Sequence, residues 1–169
     1  MKLNNKTILD YNYLDKQNIG FGMGYSATAI NKHRLRSYTV IEKDEDVIKN
    51  FKKWKKKQTT KKINLIKGMW QFKLPFTKKF DCIFFDDSPS NEIKLHQDRF
   101  NLFLKLILNH VKYNTVLVSY ATAKSKLTGY LTKHFKMNTY PYRITIPYNC
   151  RYAKGNYMYV NKITFRKKL

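Results

Sequence analysis

Residues Asn18–Ile30 read NIGFGMGYSATAI, and three of the chain's 6 glycines, Gly20, Gly22 and Gly24, fall within five positions. Glycine has no Cβ, so it turns tightly and lets a ligand approach the backbone. The residues after it can start a helix. This is where a first strand would turn into a first helix, the place at which open α/β sheets bind nucleotide-like ligands. About eighteen residues beyond Gly24, Glu42 ends the next strand-like run. An acid there can accept hydrogen bonds from both ribose hydroxyls. Glycine run and acid together point to an adenosine-containing cofactor.

The rest of the chain alternates. Apolar runs Tyr38–Ile41, Ile63–Ile66, Asp81–Phe85 and Thr115–Tyr120 read as strands. Between them, Asp44–Trp54 places Val47, Ile48, Phe51 and Trp54 on one helix face, with Asp44 as its cap. Phe100–His110 repeats that spacing, and Lys124–Phe135 is a weaker helix. Strands alternating with helices imply a parallel sheet covered on both faces. After Met137 the pattern changes. Tyr142–Tyr148 and Tyr157–Phe165 read as two strands joined by a Gly-Asn-containing connection, an antiparallel hairpin.

Composition bounds the rest. The length of 169 residues suits a single domain, expected over 1–169, and 43% hydrophobic residues can fill its core. No apolar run approaches a membrane span. The first residues carry no secretory pattern, so a cytoplasmic or organellar (mitochondrial) matrix location is expected, not secretion. Cys82 and Cys150 lack both a disulfide framework and metal-ligand spacing, so no metal is expected. Thirty-four Lys and Arg against 11 Asp and Glu give a net charge of +23. Such a field favours polyanions, RNA among them. AT-rich coding would also raise Lys alongside Asn, Tyr, Phe and Ile. A lysine run such as Phe51–Lys62 is more often a solvated face than a binding site, and the alternative is that Lys52–Lys62 and Arg166–Lys168 meet phosphates.

Several motifs in order resemble one family. IGFGMG (Ile19–Gly24), TVIEKDEDVIKNFKKW (Thr39–Trp54), LIKGMWQF (Leu65–Phe72) and FDCIFFDDSPS (Phe80–Ser90) are similar to segments of guanidinoacetate N-methyltransferase and its arginine-methyltransferase-like relatives. His96, Phe100, Asn101 and the closing Cys150–Tyr152 follow at similar distances. The resemblance implies a class I, Rossmann-like methyltransferase sheet, mostly parallel with a C-terminal antiparallel hairpin, and S-adenosylmethionine as cofactor. Two features of the chain agree with that cofactor over NAD. Gly-x-Gly-x-Gly lacks the last glycine of the dinucleotide fingerprint, with Ser26 and Ala27 there instead, and a hairpin closes the fold.

By that resemblance, Gly20, Gly22 and Gly24 line the methionine part of the cofactor and Glu42 holds its ribose. Met69 and Trp70 border the adenine. Asp86, or Asp87 beside it, meets the substrate nitrogen. The substrate would carry a guanidino or amino group. The family's enzymes have an N-terminal lid with a second substrate acid, and only Met1–Asn18 precede the glycines, so both are expected to be lacking. Leu14–Asn18, LDKQN, stands where an apolar central strand is usual. Burying Lys16 and Gln17 is costly, so a short strand, one shifted toward Ile8–Tyr13, or a degenerate pocket is expected. A second reading follows from that strand, the charge and the 15% aromatic content. It is a non-catalytic basic protein of methyltransferase fold in a ribonucleoprotein or other large assembly.

Overall fold

A computed structural model describes residues 14–33, 35–60, 62–86, 93–108, 111–145 and 156–166. Its strands are β1 (Leu14–Ile19), β2 (Leu35–Glu42), β3 (Ile63–Lys67), β4 (Phe80–Phe85), β5 (Val111–Ala121), β6 (Phe135–Arg143) and β7 (Tyr157–Phe165). The helices are α1 (Tyr25–Asn31), α2 (Glu45–Lys55), α3 (Trp70–Lys73), α4 (Ile93–Ile107) and α5 (Leu131–His134). The strands form one sheet in the order β3-β2-β1-β4-β5-β7-β6. The first five run parallel, and β7 lies antiparallel between β5 and β6.

Alternation along the strands gives each sheet face its own core. On one face Tyr38, Val40 and Ile63 meet Phe21, Ala27 and Phe51, so α1 and α2 cover its β1–β3 half. On the other, Ile19, Ile83, Phe85, Leu117 and Ile163 pack against Trp70, Phe100, Phe103, Leu104 and Leu131 of α3, α4 and α5. The α2 start follows its sequence. Asp44 caps it, accepting from the backbone N–H of Asp46 and Val47, with Glu45 and Asp46 in the positive first turn.

The first strand corrects an expectation. It is not displaced toward Ile8–Tyr13: Leu14–Ile19 itself runs between β2 and β4, with Gln17 and Asn18 fully buried. A parallel ladder on both sides fixes the backbone, whatever the side chains. Polar partners satisfy the strand's beginning. Asp15 accepts from the Ser37 hydroxyl at 2.6 Å and lies 3.1 Å from Lys78. Burial pushes the Asp15 carboxyl up, but Ser37, Lys78 and Arg36 together hold it below its ordinary value. The Gln17 amide has no partner among the described residues. An orphaned buried group of this kind costs about 1–3 kcal/mol.

The C-terminal elements correct two more. The strand expected at Tyr142–Tyr148 begins earlier, at Phe135, and pairs from Phe135↔Phe165 to Arg143↔Tyr157. Phe135 and Met137 alternate into the core and set that register. Residues 146–148 lie outside the described residues. The helix expected over Lys124–Phe135 is reduced to Leu131–His134. Gly129, with φ +50°, breaks the spiral, and the Gln97 amide takes the backbone N–H and C=O of Lys126 for itself. By contrast, α4 is longer than expected, starting at Ile93.

Candidate active site

The parallel strands β1, β2, β4 and β5 end on one edge of the sheet, and the chain leaving β1 there is Gly20–Gly24. Gly20 N–H donates to the Ile41 carbonyl at 2.9 Å, and Asp86 N–H donates to the Ile19 carbonyl at 2.9 Å. The loop is thus tied to β2 on one side and to the end of β4 on the other. Gly20 has φ +84°, and a Cβ there would overlap the Asp86 carbonyl oxygen. Gly22, at φ +51°, is different: a Cβ would meet nothing within 4 Å. The space beside it is open, and Gly22 lines a cavity of about 1030 Å³. That volume stands at the upper end of the roughly 300–1,000 Å³ of ordinary small-molecule sites.

The two large residues within the glycine motif part ways. Phe21 is buried edge-on against Phe51 and Trp54 and anchors the loop, whereas Met23 is 80% exposed at the rim. Glu42 closes β2. One carboxylate oxygen accepts from Phe21 N–H at 2.9 Å, and the other from Lys43 and Asp44 N–H at 2.8 and 3.0 Å. A carboxylate has about four acceptor positions, so one remains for a ligand. Met69 and Trp70 line the same cavity. Trp70 is also core, edge-on to Phe85 at 5.3 Å, and its buried indole N–H has no partner among the described residues. A buried orphan donor in a cavity wall is what a bound polar ligand would satisfy.

Asp86 directly follows β4. Its carboxylate accepts from the Ser26 hydroxyl at 2.8 Å and from the Tyr120 hydroxyl. Burial pushes its pKa up, against the pull of Tyr120 and Ser26, and the Glu42 charge adds to the rise. A carboxylate made more basic in this way is a better proton acceptor. Asp87, the cysteine segment Cys150–Tyr152 and the His96 side chain lie outside what is described.

The cavity thus brings together Gly20, Gly22, Gly24, Glu42, Met69, Trp70 and Asp86. It also holds residues that sequence reasoning missed: Ser26, Phe84, Arg99 and Tyr120. Tyr120 was findable, because it ends a parallel strand where such sheets bind ligands. Ser26, in the first turn of α1, carried no signal beyond its place after the glycines. Among the described residues no cluster of His, Cys, Asp or Glu could hold a metal ion. No described helix is long and apolar enough to cross a membrane.

A family model described as guanidinoacetate N-methyltransferase matches residues 15–130, more than half of the chain. The chain belongs to the guanidinoacetate N-methyltransferase family. Its cofactor is accordingly S-adenosylmethionine, and the open cradle at Gly22, the remaining acceptor of Glu42 and the orphaned Trp70 N–H suit such a ligand. Solved structures agree on the fold. A methyltransferase from Pyrococcus furiosus is 16% identical with a TM-score of 0.66, over 91% of this chain and 75% of that one. An rRNA methylase from Streptococcus thermophilus is 8% identical with a TM-score of 0.63, over 92% and 89%. An SAH-bound methyltransferase from Podospora anserina is 17% identical with a TM-score of 0.57, over 90% and 72%. The match to the guanidinoacetate N-methyltransferase model stops before the terminal hairpin, and the sheet order of this family member continues through it.

Proposed function

We propose that this S-adenosylmethionine-dependent methyltransferase methylates a guanidino or amino nitrogen held by Asp86. The observation that carries the reading is the Asp86 carboxylate, buried at the end of β4, fixed by Ser26 and Tyr120, and sharing its cavity with the glycine loop. In this reading Gly20, Gly22 and Gly24 give backbone to the cofactor, Glu42 accepts from its ribose, and Met69 and Trp70 wall its base. When bound, S-adenosylmethionine supplies an electrophilic methyl on a sulfonium. Asp86 accepts a hydrogen bond from the incoming nitrogen, aims its lone pair at that methyl and takes the proton released as the N–C bond forms. Among the described residues the only other carboxylate in the cavity is Glu42.

The test is calorimetric titration with S-adenosylmethionine, together with single-turnover methyl transfer to amino- and guanidino-bearing acceptors. Asp86→Asn keeps the shape and removes the proton acceptor. Turnover should collapse while cofactor affinity moves less than about threefold, since the group faces the acceptor. Full activity in the variant rejects the role given to Asp86. A parent protein that does not bind the cofactor favours the non-catalytic assembly component.

A further inference from the structure

The sheet face that α1 and α2 cover on β1–β3 continues across β4, β5, β7 and β6. The register puts Phe84, Val118 and Tyr120 on this face, then Val160 opposite Tyr120 and Tyr140 opposite Val160, with Tyr142 two residues on. None of these six belongs to either core, and no described helix packs on them. Phe84 and Tyr120 stack at 6.3 Å, while Tyr140 and Tyr142 are 44% and 56% exposed. The same face carries Lys16 at its border on β1 and Lys136 and Lys162 on β6 and β7, and among its described residues on β4, β5, β6 and β7 no acid. Phe84, Tyr120 and Val160 also line the cavity that holds Asp86. The face is therefore aromatic, positively charged and continuous with the site.

We propose that this half-face docks a single-stranded nucleic acid and presents an exocyclic amino nitrogen of one base to Asp86. The proposal rests on the methyl-transfer reading for its last step only. Unpaired bases offer flat faces to aromatic side chains, and their phosphates suit lysines spaced along the same surface. A neutral peptide would leave the three lysines without purpose. A duplex would hide the base faces. The lysine run of α2, exposed and outside the cavity lining, belongs to a different surface.

Fluorescence anisotropy with labelled 12-nucleotide RNA and DNA of one mixed sequence tests the idea on the full chain. Three variants are compared: Lys136→Glu/Lys162→Glu, Tyr140→Ala/Tyr142→Ala, and the control Lys55→Glu/Lys56→Glu, which changes net charge as much as the first. Circular dichroism checks that each is folded. The face lysine pair should weaken binding roughly tenfold and reduce the log–log salt slope by about 1.4, the effect of two single-strand phosphate contacts. The tyrosine pair should weaken it about fivefold or more with the slope unchanged. The control should cost less than about threefold. Binding to both sugars, or to one, supports the surface and reports its preference.

Equal loss in the control, tighter binding of duplex, or no binding by the parent near 50 mM salt would each overturn the proposal. So would a tyrosine variant that alters the sedimentation coefficient but not oligonucleotide affinity, because a second copy then occupies the face. Titration with S-adenosylmethionine separates the two readings. A parent that binds the oligonucleotide through this face but not the cofactor keeps the docking surface and defeats methyl transfer.

Discussion

Asp86 illustrates how one residue can set function against stability. Its carboxyl titrates above the ordinary value of 3.8 because the fold buries it. The native state therefore keeps its proton at pH values where the unfolded chain has already released it. Stability falls as pH rises from 3.8 through the raised value, and above that the fold carries a desolvated charge. Asp86→Asn should consequently melt higher than the parent at pH 7, with the difference closing toward pH 3. Thermal scans across pH check this independently of any activity assay. Glu42 makes the complementary case. Its three backbone hydrogen bonds brace the glycine loop, and its remaining acceptor position is the one assigned to the ribose. A charge-assisted hydrogen bond contributes about 1.5–3 kcal/mol, so Glu42→Ala should lower cofactor affinity roughly tenfold to a hundredfold. Unchanged calorimetric affinity would move the ribose elsewhere.

At the scale of elements, the glycine loop divides into a structural half and an open half. Gly20→Ala would drive a methyl into the Asp86 carbonyl and should unfold the protein at markedly lower temperature. Gly22→Ala meets no protein atom and pays only the left-handed backbone cost, about 1–2 kcal/mol. Its methyl would instead stand in the cavity, so cofactor affinity should drop while the melting point moves by a few degrees. Equal melting points for the two variants would show that the loop is not pinned at Gly20. The strands β2 to β5 were legible because they are written as continuous apolar runs, as in Ile63–Ile66 and Thr115–Tyr120, although one face of β4 and β5 has no described helix on it. The first strand was not, since its place is fixed by pairing on both sides while Gln17 and Asn18 write the wrong pattern. Nor was the start of β6, where lysine, asparagine and tyrosine on the open face mask the alternation of Phe135 and Met137. In the site, the glycines and Glu42 were picked out by spacing and Asp86, with Asp87 beside it, by the family resemblance, whereas Ser26 and Tyr120 meet Asp86 only through the fold.

The whole molecule depends on a strand order that brings residues far apart in sequence to one edge: Gly20, Glu42, Asp86 and Tyr120 each follow or end a different strand. The order also decides what stands at the rim of the sheet, where β6 has β7 on one side and no described strand on the other. The Ile144 N–H donates to Asn156 at 2.9 Å, so even-numbered residues of this strand bond inward and odd-numbered ones face out. Pro141 is one of the outward positions, and it has no N–H to offer. A neighbouring molecule that tried to extend the sheet would find a gap in the row of donors, and a charged lysine, Lys136, further along the same strand. Pro141→Thr restores the missing donor without touching the core. Light scattering on warming should then show earlier and steeper growth of aggregates than in the parent, at an almost unchanged melting point. A single ring closure in the outermost described strand thus acts as a terminator of polymerisation, keeping the sheet from becoming the first layer of a fibril.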